Sequence, residues 1–310
     1  MNHLGTSLGS DVPRLLPRCG RLVGGARIEW AAGYVFRSFG VHVAVRANRY
    51  AVIEACKALF PPGWKAVASS TIDRSYALLV TKPSRATGEA RVSLYADGKR
   101  IARTSSLPAM LDIFEADLHQ YIAASSPDLL FVHAGVVGWR GRAIVIPGRS
   151  FTGKTTLVAE LVRAGATYYS DEFAVLDVRG RVHPFARPLA IRDAECRQHR
   201  VPVTALGGRA GRHSLPIGVV VFAPYKADAS WKVHRLSAGL GVLALLAETV
   251  SVRRQPHRAL DILRVAIARA HVFKGVRGAA AAVVGTILQT AADEPNLAVI
   301  APLHACGEPL

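Results

Sequence analysis

The chain has 310 residues, half of them apolar, which is enough to bury a sizeable core and to form two domains. Its net charge of +17 comes from 31 Arg and 8 Lys that are scattered along the chain. No RNA- or DNA-binding motif accompanies these charges, so we do not expect a nucleic acid as the partner, although an acidic peptide or protein remains compatible with them. The longest apolar stretches are too short and too interrupted by Gly to span a bilayer, which excludes a membrane role.

The cysteines argue for a reducing compartment. They stand far apart without a C-x-x-C pair, at Cys19, Cys56, Cys196 and Cys306. This spacing argues against a zinc site and against a disulfide framework. The first 21 residues mix Gly, Pro and Arg without an apolar centre, so we expect no signal peptide. We therefore predict a cytoplasmic protein.

Three regions follow one another along the chain. Residues 1–28 are predicted to be a loose lead-in, residues 29–125 a small α+β domain with a linking helix, and residues 126–310 a second domain. In the small domain, alternating apolar residues predict strands and helical spacing predicts helices. The strand patterns lie at 41–45, 76–80 and 90–95, and the helix patterns at 49–60 and 108–124.

The second domain contains the most informative segment of the chain. Residues Gly148–Thr155 match G-x-x-x-x-G-K-[ST] at every fixed position. The apolar run Ala143–Ile146 before them predicts a buried strand, and Thr155–Ala164 after them has leucines and valines at helical spacing, with a stop at Gly165. A strand, a Gly-rich loop and a helix form the context in which a phosphate-binding loop occurs.

The residue types of this loop predict its ligands. Backbone N–H groups of such a loop and the positive end of the following helix bind phosphate oxygens. Lys154 would reach the β- and γ-phosphates, and the Thr155 hydroxyl would bind Mg²⁺. We therefore expect ATP and Mg²⁺ to bind here. The predicted nucleotide contacts are Gly148, Arg149, Ser150, Phe151, Thr152, Gly153, Lys154, Thr155 and Thr156.

An acidic pair follows the loop. Asp171 and Glu172 lie 17 and 18 residues after Lys154. A helix, a turn and a short strand would return the chain alongside the strand that feeds the loop, so that both acids reach the phosphate edge. A phosphotransferase needs a carboxylate there, either to hold Mg²⁺ or to accept the proton of the attacking hydroxyl. We expect Asp171 to join Thr155 at the metal and either acid to be the base; the competing interpretation is a solvated strand end.

The remainder of the chain is less informative. From about Leu236 to Thr290 it is rich in Ala and Leu, and we predict that it is helical. Charge on a transferred phosphoryl group could be stabilised by an arginine. The candidates are Arg187, Arg192, Arg253, Arg254 and Arg258.

His133 is a candidate site residue because of a resemblance to a known family. It lies on an apolar segment before the loop, and His133, the loop Gly148–Thr155, Gly165 and the pair Asp171–Glu172 together resemble the catalytic domain of HPr kinase/phosphorylase and its HPr-kinase-like relatives, over roughly residues 130–192. The resemblance implies a P-loop α/β catalytic domain in which the loop binds ATP. It also implies that His133 assists near the transferred phosphoryl group, and that the acid pair supplies the base and metal contacts.

Three positions depart from the pattern of that family. Phe151 stands where the family has Gly, and Glu172 stands where the enzymes have Asp. The later Leu-Glu-Ile-Arg-Gly signature is at best Leu189–Asp193, with Ala190 in place of the glutamate. The first two departures are compatible with kinase chemistry. The third argues against phosphorylase activity and against HPr as the substrate.

The sequence therefore predicts an ATP- and Mg²⁺-dependent kinase of the HPr-kinase-like type. Its acceptor would be a Ser or Thr hydroxyl of a peptide or small protein, among which ribosomally made peptide precursors are included. A small-molecule hydroxyl and a homo-oligomeric state stay open. The alternative functions are a nucleotide-dependent binding module without phosphoryl transfer, which Phe151 favours, and an RNA-directed ATPase or kinase, which depends on the net charge alone.

Overall fold

The computed structural model describes residues 19–21, 27–81, 90–149, 151–193, 195 and 197–292. The predicted lead-in lies outside the described residues, apart from a short antiparallel ladder between β1 (Cys19–Arg21) and β2 (Arg27–Glu29). Ser150 of the predicted phosphate loop also lies outside them, as do Cys196 and Cys306.

The first part of the chain forms one six-stranded sheet with two helices. Its elements are β3 (Ala32–Ser38), β4 (Val41–Ala47), α1 (Tyr50–Lys57), β5 (Lys65–Ala66), β6 (Arg74–Val80), β7 (Val92–Ala96), β8 (Lys99–Thr104) and α2 (Leu107–Ser125). The strand order is β5-β3-β4-β6-β7-β8. Only β4 and β6 are parallel, because α1 provides the crossover between them. The strands and helices predicted for this region are all present.

Helices α1 and α2 close the core of this part. Buried Ile53 and Cys56 from α1, and Phe114 and Leu118 from α2, pack on the apolar side chains of the sheet. The free thiol of Cys56 is buried in this core, and burial raises its pKa to about 12. The thiol is therefore a packing group and not a reactive one.

The second part of the chain is larger. Its elements are β9 (Leu130–Trp139), β10 (Arg142–Pro147), α3 (Lys154–Arg163), β11 (Thr167–Ser170), β12 (Phe173–Leu176), β13 (Arg181–His183), β14 (Leu189–Arg192), β15 (Gln198–Val201), β16 (Leu215–Phe222), β17 (Lys232–Arg235), α4 (Ala238–Ala247), α5 (Pro256–Ile267), β18 (His271–Val276) and α6 (Ala280–Ala292). The main sheet has the order β10-β9-β12-β13-β16-β18-β17, and β11 pairs with β9. Because β16 also pairs with β10, a closed ring is formed by five strands, in the order β10, β9, β12, β13 and β16.

Helices cover both faces of this sheet. On β10, Ile144 and Ile146 face the core that contains α3 and α6, whereas Ala143 and Val145 face the core that contains α4 and α5. Successive side chains of a strand point to opposite faces, so a continuously apolar strand such as β10 requires cover on both sides. The predicted α/β class is confirmed at this level. None of the described helices combines the length and the hydropathy that a bilayer-spanning segment needs.

Two expectations about this part are wrong. The predicted helical tail is interrupted by the strand β18, which pairs in parallel with β16 and antiparallel with β17. The six residues of β18 lie between two helical segments, and pairing with β16 and β17 makes them a strand. In addition, β11 does not lie beside β10. The hairpin partner β9 occupies one edge of β10 and β16 occupies the other, so β11 pairs antiparallel with β9.

An aromatic cluster joins the two parts of the chain. Phe185, which is 2% exposed, lies 5.6 Å from Phe39 of the β3–β4 turn and 5.5 Å from Phe173 of β12, measured between ring centroids. His119 of α2 lies 5.7 Å from the same ring. The contacts of Phe185 therefore hold the first sheet and α2 against the strands that carry the candidate site.

We expect Phe185→Ala to lower the free energy of unfolding by about 3–5 kcal/mol, because it removes a buried ring and leaves a cavity. Chemical denaturation followed by tryptophan fluorescence would measure the loss. The control is Val178→Ala, which truncates a side chain that is 64% exposed and should change stability by less than about 0.5 kcal/mol. Equal stability of the two variants would contradict a joining role for Phe185.

Candidate functional site

The loop between β10 and α3 depends on a glycine at its end. Gly153 caps the N-terminus of α3 with φ +80°, a conformation that L side chains rarely adopt. A Cβ atom at this position would lie 2.7 Å from Nη2 of Arg277 and 3.1 Å from Cβ of Tyr225. Both the backbone conformation and the close neighbours therefore require glycine where the sequence motif has it.

Phe151 adopts the same left-handed region without being glycine. Its φ is +68°, and its side chain is 84% exposed. The left-handed conformation costs an L residue about 1–2 kcal/mol. The guanidinium of Arg192 lies 4.4 Å from the ring centroid, and such a contact at an exposed site returns about 0.5–1 kcal/mol. Phe151 therefore has the positive φ that glycine adopts easily, and this conformation is strained for a phenylalanine.

The loop presents free donors. Within the described part of the chain, the backbone N–H groups of Phe151, Thr152 and Gly153 have no acceptor. The carbonyl oxygen of Arg149 accepts hydrogen bonds from Thr152 Oγ1 at 2.9 Å and from Lys154 Nζ at 2.6 Å, which curls the loop. Free N–H groups at the start of a helix form a concave site for an anion.

Lys154 carries the charge of this loop. Burial lowers the pKa of Lys154, although the nearby carboxylates of Glu248 and Asp171 act in the opposite direction. A buried ammonium group gains from a bound anion, because the anion replaces the solvation that burial removed. The lysine is therefore placed to bind a phosphate group in the loop.

Asp171 faces the first turn of α3. Its Oδ2 atom accepts hydrogen bonds from Thr155 Oγ1 at 3.2 Å and from the backbone N–H of Ala190 at 3.1 Å, and its Oδ1 atom accepts one from Tyr168 at 3.0 Å. Burial raises the pKa of Asp171, although the donors from Ala190 and Tyr168 oppose this shift. A buried carboxylate beside a hydroxyl gives two hard oxygen donors, which fit Mg²⁺.

Other ligands would have to complete a metal shell at this point. Among the described residues, no group of three or more His, Cys, Asp or Glu side chains is arranged to hold a metal. Mg²⁺ characteristically takes one or two protein carboxylates and completes its octahedron with phosphate oxygens and water. Thr155 and Asp171 therefore fit a metal that arrives with a nucleotide.

Glu172 is held by an arginine. Arg187 Nη1 donates a hydrogen bond to Glu172 Oε2, and the glutamate side chain is 36% exposed. Burial alone would raise the pKa of Glu172, but the neighbouring donors and positive charges, among them the guanidinium of Arg187, lower it below its ordinary value. The carboxylate is therefore ionised at neutral pH. Neither acid of the pair has the partner-free environment of a solvated strand end.

His133 lies beside the loop. Its carbonyl oxygen accepts a hydrogen bond from the N–H of Gly148 at 3.1 Å, and its ring packs 5.0 Å from that of Phe173. Burial lowers the pKa of His133, Glu172 raises it and Lys154 lowers it further, with a net decrease. The imidazole is therefore neutral at pH 7, and it shares its surroundings with Lys154 and Glu172.

Helix α2 supplies residues that the sequence did not predict. Arg187 Nη2 donates to Glu115 Oε1 at 2.6 Å, and Arg187 Nη1 donates to His119 Nδ1 at 2.7 Å. The other nitrogen of His119 lies 3.1 Å from the carbonyl oxygen of Leu59, which assigns the proton to Nε2. Arg200 Nη1 also donates to Glu115, at 2.7 Å. No local sequence pattern links α2 to an acid that lies more than fifty residues later.

The five candidate arginines have different partners in the structure. Arg187 contacts an acid of the site, and Arg192 covers the ring of Phe151. Arg254 bonds to Ser125 and Arg258 bonds to Gln255, while Arg253 is exposed. Only Arg187 therefore reaches an acid of the candidate site.

The structure thus places His133, Lys154, Thr155, Asp171 and Glu172 close together. These are residues that the sequence analysis assigned to one site. Thr156 lies exposed in the first turn of α3. A scan against protein-family models and a search of curated proteins found no match to the chain.

The strain at Phe151 is testable with a matched pair of variants. We expect Phe151→Gly to be more stable to unfolding than Phe151→Ala by about 1 kcal/mol, because both remove the ring but only glycine relieves the positive φ. Urea denaturation midpoints of the two variants measure this difference. Equal midpoints would mean that residue 151 does not adopt the left-handed conformation in solution.

Proposed function

We propose that the chain is an ATP- and Mg²⁺-dependent kinase of the HPr-kinase-like type, which transfers the γ-phosphate to a Ser or Thr hydroxyl of a peptide or small protein. The observation that carries the proposal is the contact of Thr155 Oγ1 with Asp171 Oδ2, at 3.2 Å, at the start of the helix that follows the loop. A phosphate-binding loop by itself would suit any nucleotide-binding protein. The adjacent carboxylate and hydroxyl suit phosphoryl transfer.

Binding would rest on the loop and on Lys154. The N–H groups of residues 151–153 and the Lys154 ammonium would receive the β- and γ-phosphates, and Thr155 and Asp171 would hold Mg²⁺, which would supply neutralisation of charge on the phosphate oxygens. The side chain of Lys154 leaves the Arg149 carbonyl oxygen for the phosphates, because a charged acceptor binds an ammonium group more strongly than a carbonyl does.

In the transfer step, the hydroxyl oxygen of the acceptor forms a bond to the γ-phosphorus as the bond from phosphorus to the β,γ-bridging oxygen breaks. ADP leaves, and the hydroxyl proton passes to Glu172. A carboxylate with a lowered pKa is a weak base, which is sufficient where the transition state is loose and the proton moves late. Neutral His133 donates a hydrogen bond toward the transferred group, and Arg187 fixes the position of Glu172.

The departure at Ala190 bears on the reverse reaction. The backbone N–H of this residue donates to Asp171, but its side chain offers no carboxylate toward the metal. We therefore expect the kinase direction without efficient phosphate-driven dephosphorylation. An acceptor other than HPr, such as a ribosomally made peptide precursor, is consistent with the same departure and with the basic net charge of +17.

A second candidate function is a nucleotide-dependent binding module without phosphoryl transfer. One specific observation favours it, because the ion pair with Arg187 engages the carboxylate that a transferase needs as its base. In that case the loop would bind ATP, and the chain would present a surface to a partner without releasing ADP.

Labelled phosphate distinguishes the two candidates. With γ-labelled ATP, Mg²⁺ and peptides or small proteins encoded by neighbouring genes, we expect label on an acceptor that resists mild acid, because phosphomonoesters of Ser and Thr are acid-stable. Lys154→Ala, which removes the ammonium group expected to bind the β- and γ-phosphates, should abolish the transfer. Added inorganic phosphate should remove little of the label. Acid-labile label, or ATP hydrolysis without an acceptor in any cell extract, would contradict the kinase proposal.

The two acids should have different mutant kinetics. We expect Glu172→Gln to lower turnover by roughly 10²–10⁴-fold with little loss of ATP affinity, as the removal of a general base does. Asp171→Asn should reduce both turnover and Mg²⁺-dependent affinity, and Thr155→Ala should weaken binding with Mg²⁺ more than binding without it. Steady-state kinetics and calorimetric titration separate the two patterns. Wild-type behaviour of both acid variants would exclude the pair from the reaction.

A further inference from the structure

Arg277 is a buried cation that has no carboxylate partner among the described residues. The residue follows β18 and is 2% exposed. Its Nη2 atom donates to the carbonyl oxygen of Gly153 at 2.7 Å and its Nη1 atom to that of Gly278 at 3.0 Å, whereas its buried Nε atom has no partner among the described residues. Within the same residues, no Asp or Glu oxygen lies within 4.0 Å of the guanidinium. Burying a charge without a counter-charge is costly, so such a group calls for an explanation.

The cation lies directly behind the predicted phosphate loop. Gly153 is the residue from which α3 begins, and its carbonyl oxygen accepts the hydrogen bond from Arg277. The backbone around the arginine is tied to the loop, since Tyr225 N donates to Thr152 O at 3.1 Å and Lys226 N donates to Arg277 O at 2.9 Å. The charge is therefore held close to the free N–H groups of the loop.

We infer that Arg277 is the fixed counter-charge of the anion that binds in the loop, and that this anion is a di- or triphosphate chain. The inference rests on the proposed phosphate binding of the loop, but it does not require phosphoryl transfer. Lys154 and Arg277 would contribute one positive charge each, from the open side and from the buried side of the loop. A site with one partly buried and one fully buried cation discriminates in favour of ligands with several negative charges over ligands with one.

A purely structural role would be different. In that case Arg277 would serve only to hold the Gly153 carbonyl oxygen, and any donor of similar size would replace it. The counter-charge role instead requires a positive charge at this place. It also implies that the unliganded protein is destabilised by the buried charge, which a bound polyanion offsets.

The test is binding of inorganic pyrophosphate and of ATP, measured by calorimetry without Mg²⁺, to wild type, Arg277→Gln, Arg277→Lys and Arg163→Gln. Gln retains a hydrogen-bond donor without charge, and Lys retains the charge. Arg163 is an exposed arginine at the opposite end of α3, so it controls for the loss of one positive charge from the surface. We expect pyrophosphate affinity to fall by about 10- to 100-fold in Arg277→Gln, but by only a few-fold in Arg277→Lys and by less than about two-fold in Arg163→Gln.

Thermal unfolding of the same proteins provides a second readout. Pyrophosphate should raise the melting temperature of wild type and of Arg277→Lys, and should raise that of Arg277→Gln much less. Pyrophosphate affinity in Arg277→Gln equal to that of wild type would overturn the inference while leaving the proposed kinase intact. Failure of wild type to bind any phosphate compound would overturn both, and strong binding without transfer to any acceptor would overturn only the kinase.

Discussion

At Gly153 the chain passes from β10 into α3 with a positive φ, and the carbonyl oxygen of this residue accepts a hydrogen bond from the buried guanidinium of Arg277. Within the described part of the chain, the N–H groups of residues 151–153 before this turn have no acceptor, and Thr155 after it contacts Asp171. A Cβ atom there would crowd Arg277 and Tyr225, and the positive φ disfavours an L side chain. The geometry of the candidate site therefore depends on a backbone turn that strongly favours glycine.

The charges around this turn are arranged in two groups. The cations Lys154 and Arg277 lie at the loop, where burial disfavours both of their charged forms. The carboxylates of Asp171 and Glu172 lie beside it, each held by donors from other elements. Because these donors satisfy the two carboxylates, neither acid forms an ion pair with Lys154 or Arg277 within the described residues.

The first part of the chain contributes to the site through α2. Glu115 and His119 of this helix bind Arg187, and Arg187 in turn holds Glu172. The aromatic cluster around Phe185 packs the same helix against the strands of the second sheet. Because removal of one member of a buried ionic network leaves the others unpaired, the position of Glu172 depends on the packing between the two parts of the chain.

Features that depend on neighbours along the chain can be predicted from the sequence. The buried strand, the loop with its glycines and the following helix can be predicted from residues 143–165, and the acid pair lies where its spacing predicts. Other features appear only when the chain is folded: residues 271–276 form a strand, and β11 pairs with β9. Likewise, Arg277 contacts the loop at Gly153, and Arg187 contacts Glu172. These contacts join residues that are distant in sequence, and pairing and burial between such residues leave no periodic pattern in the sequence to be recognised.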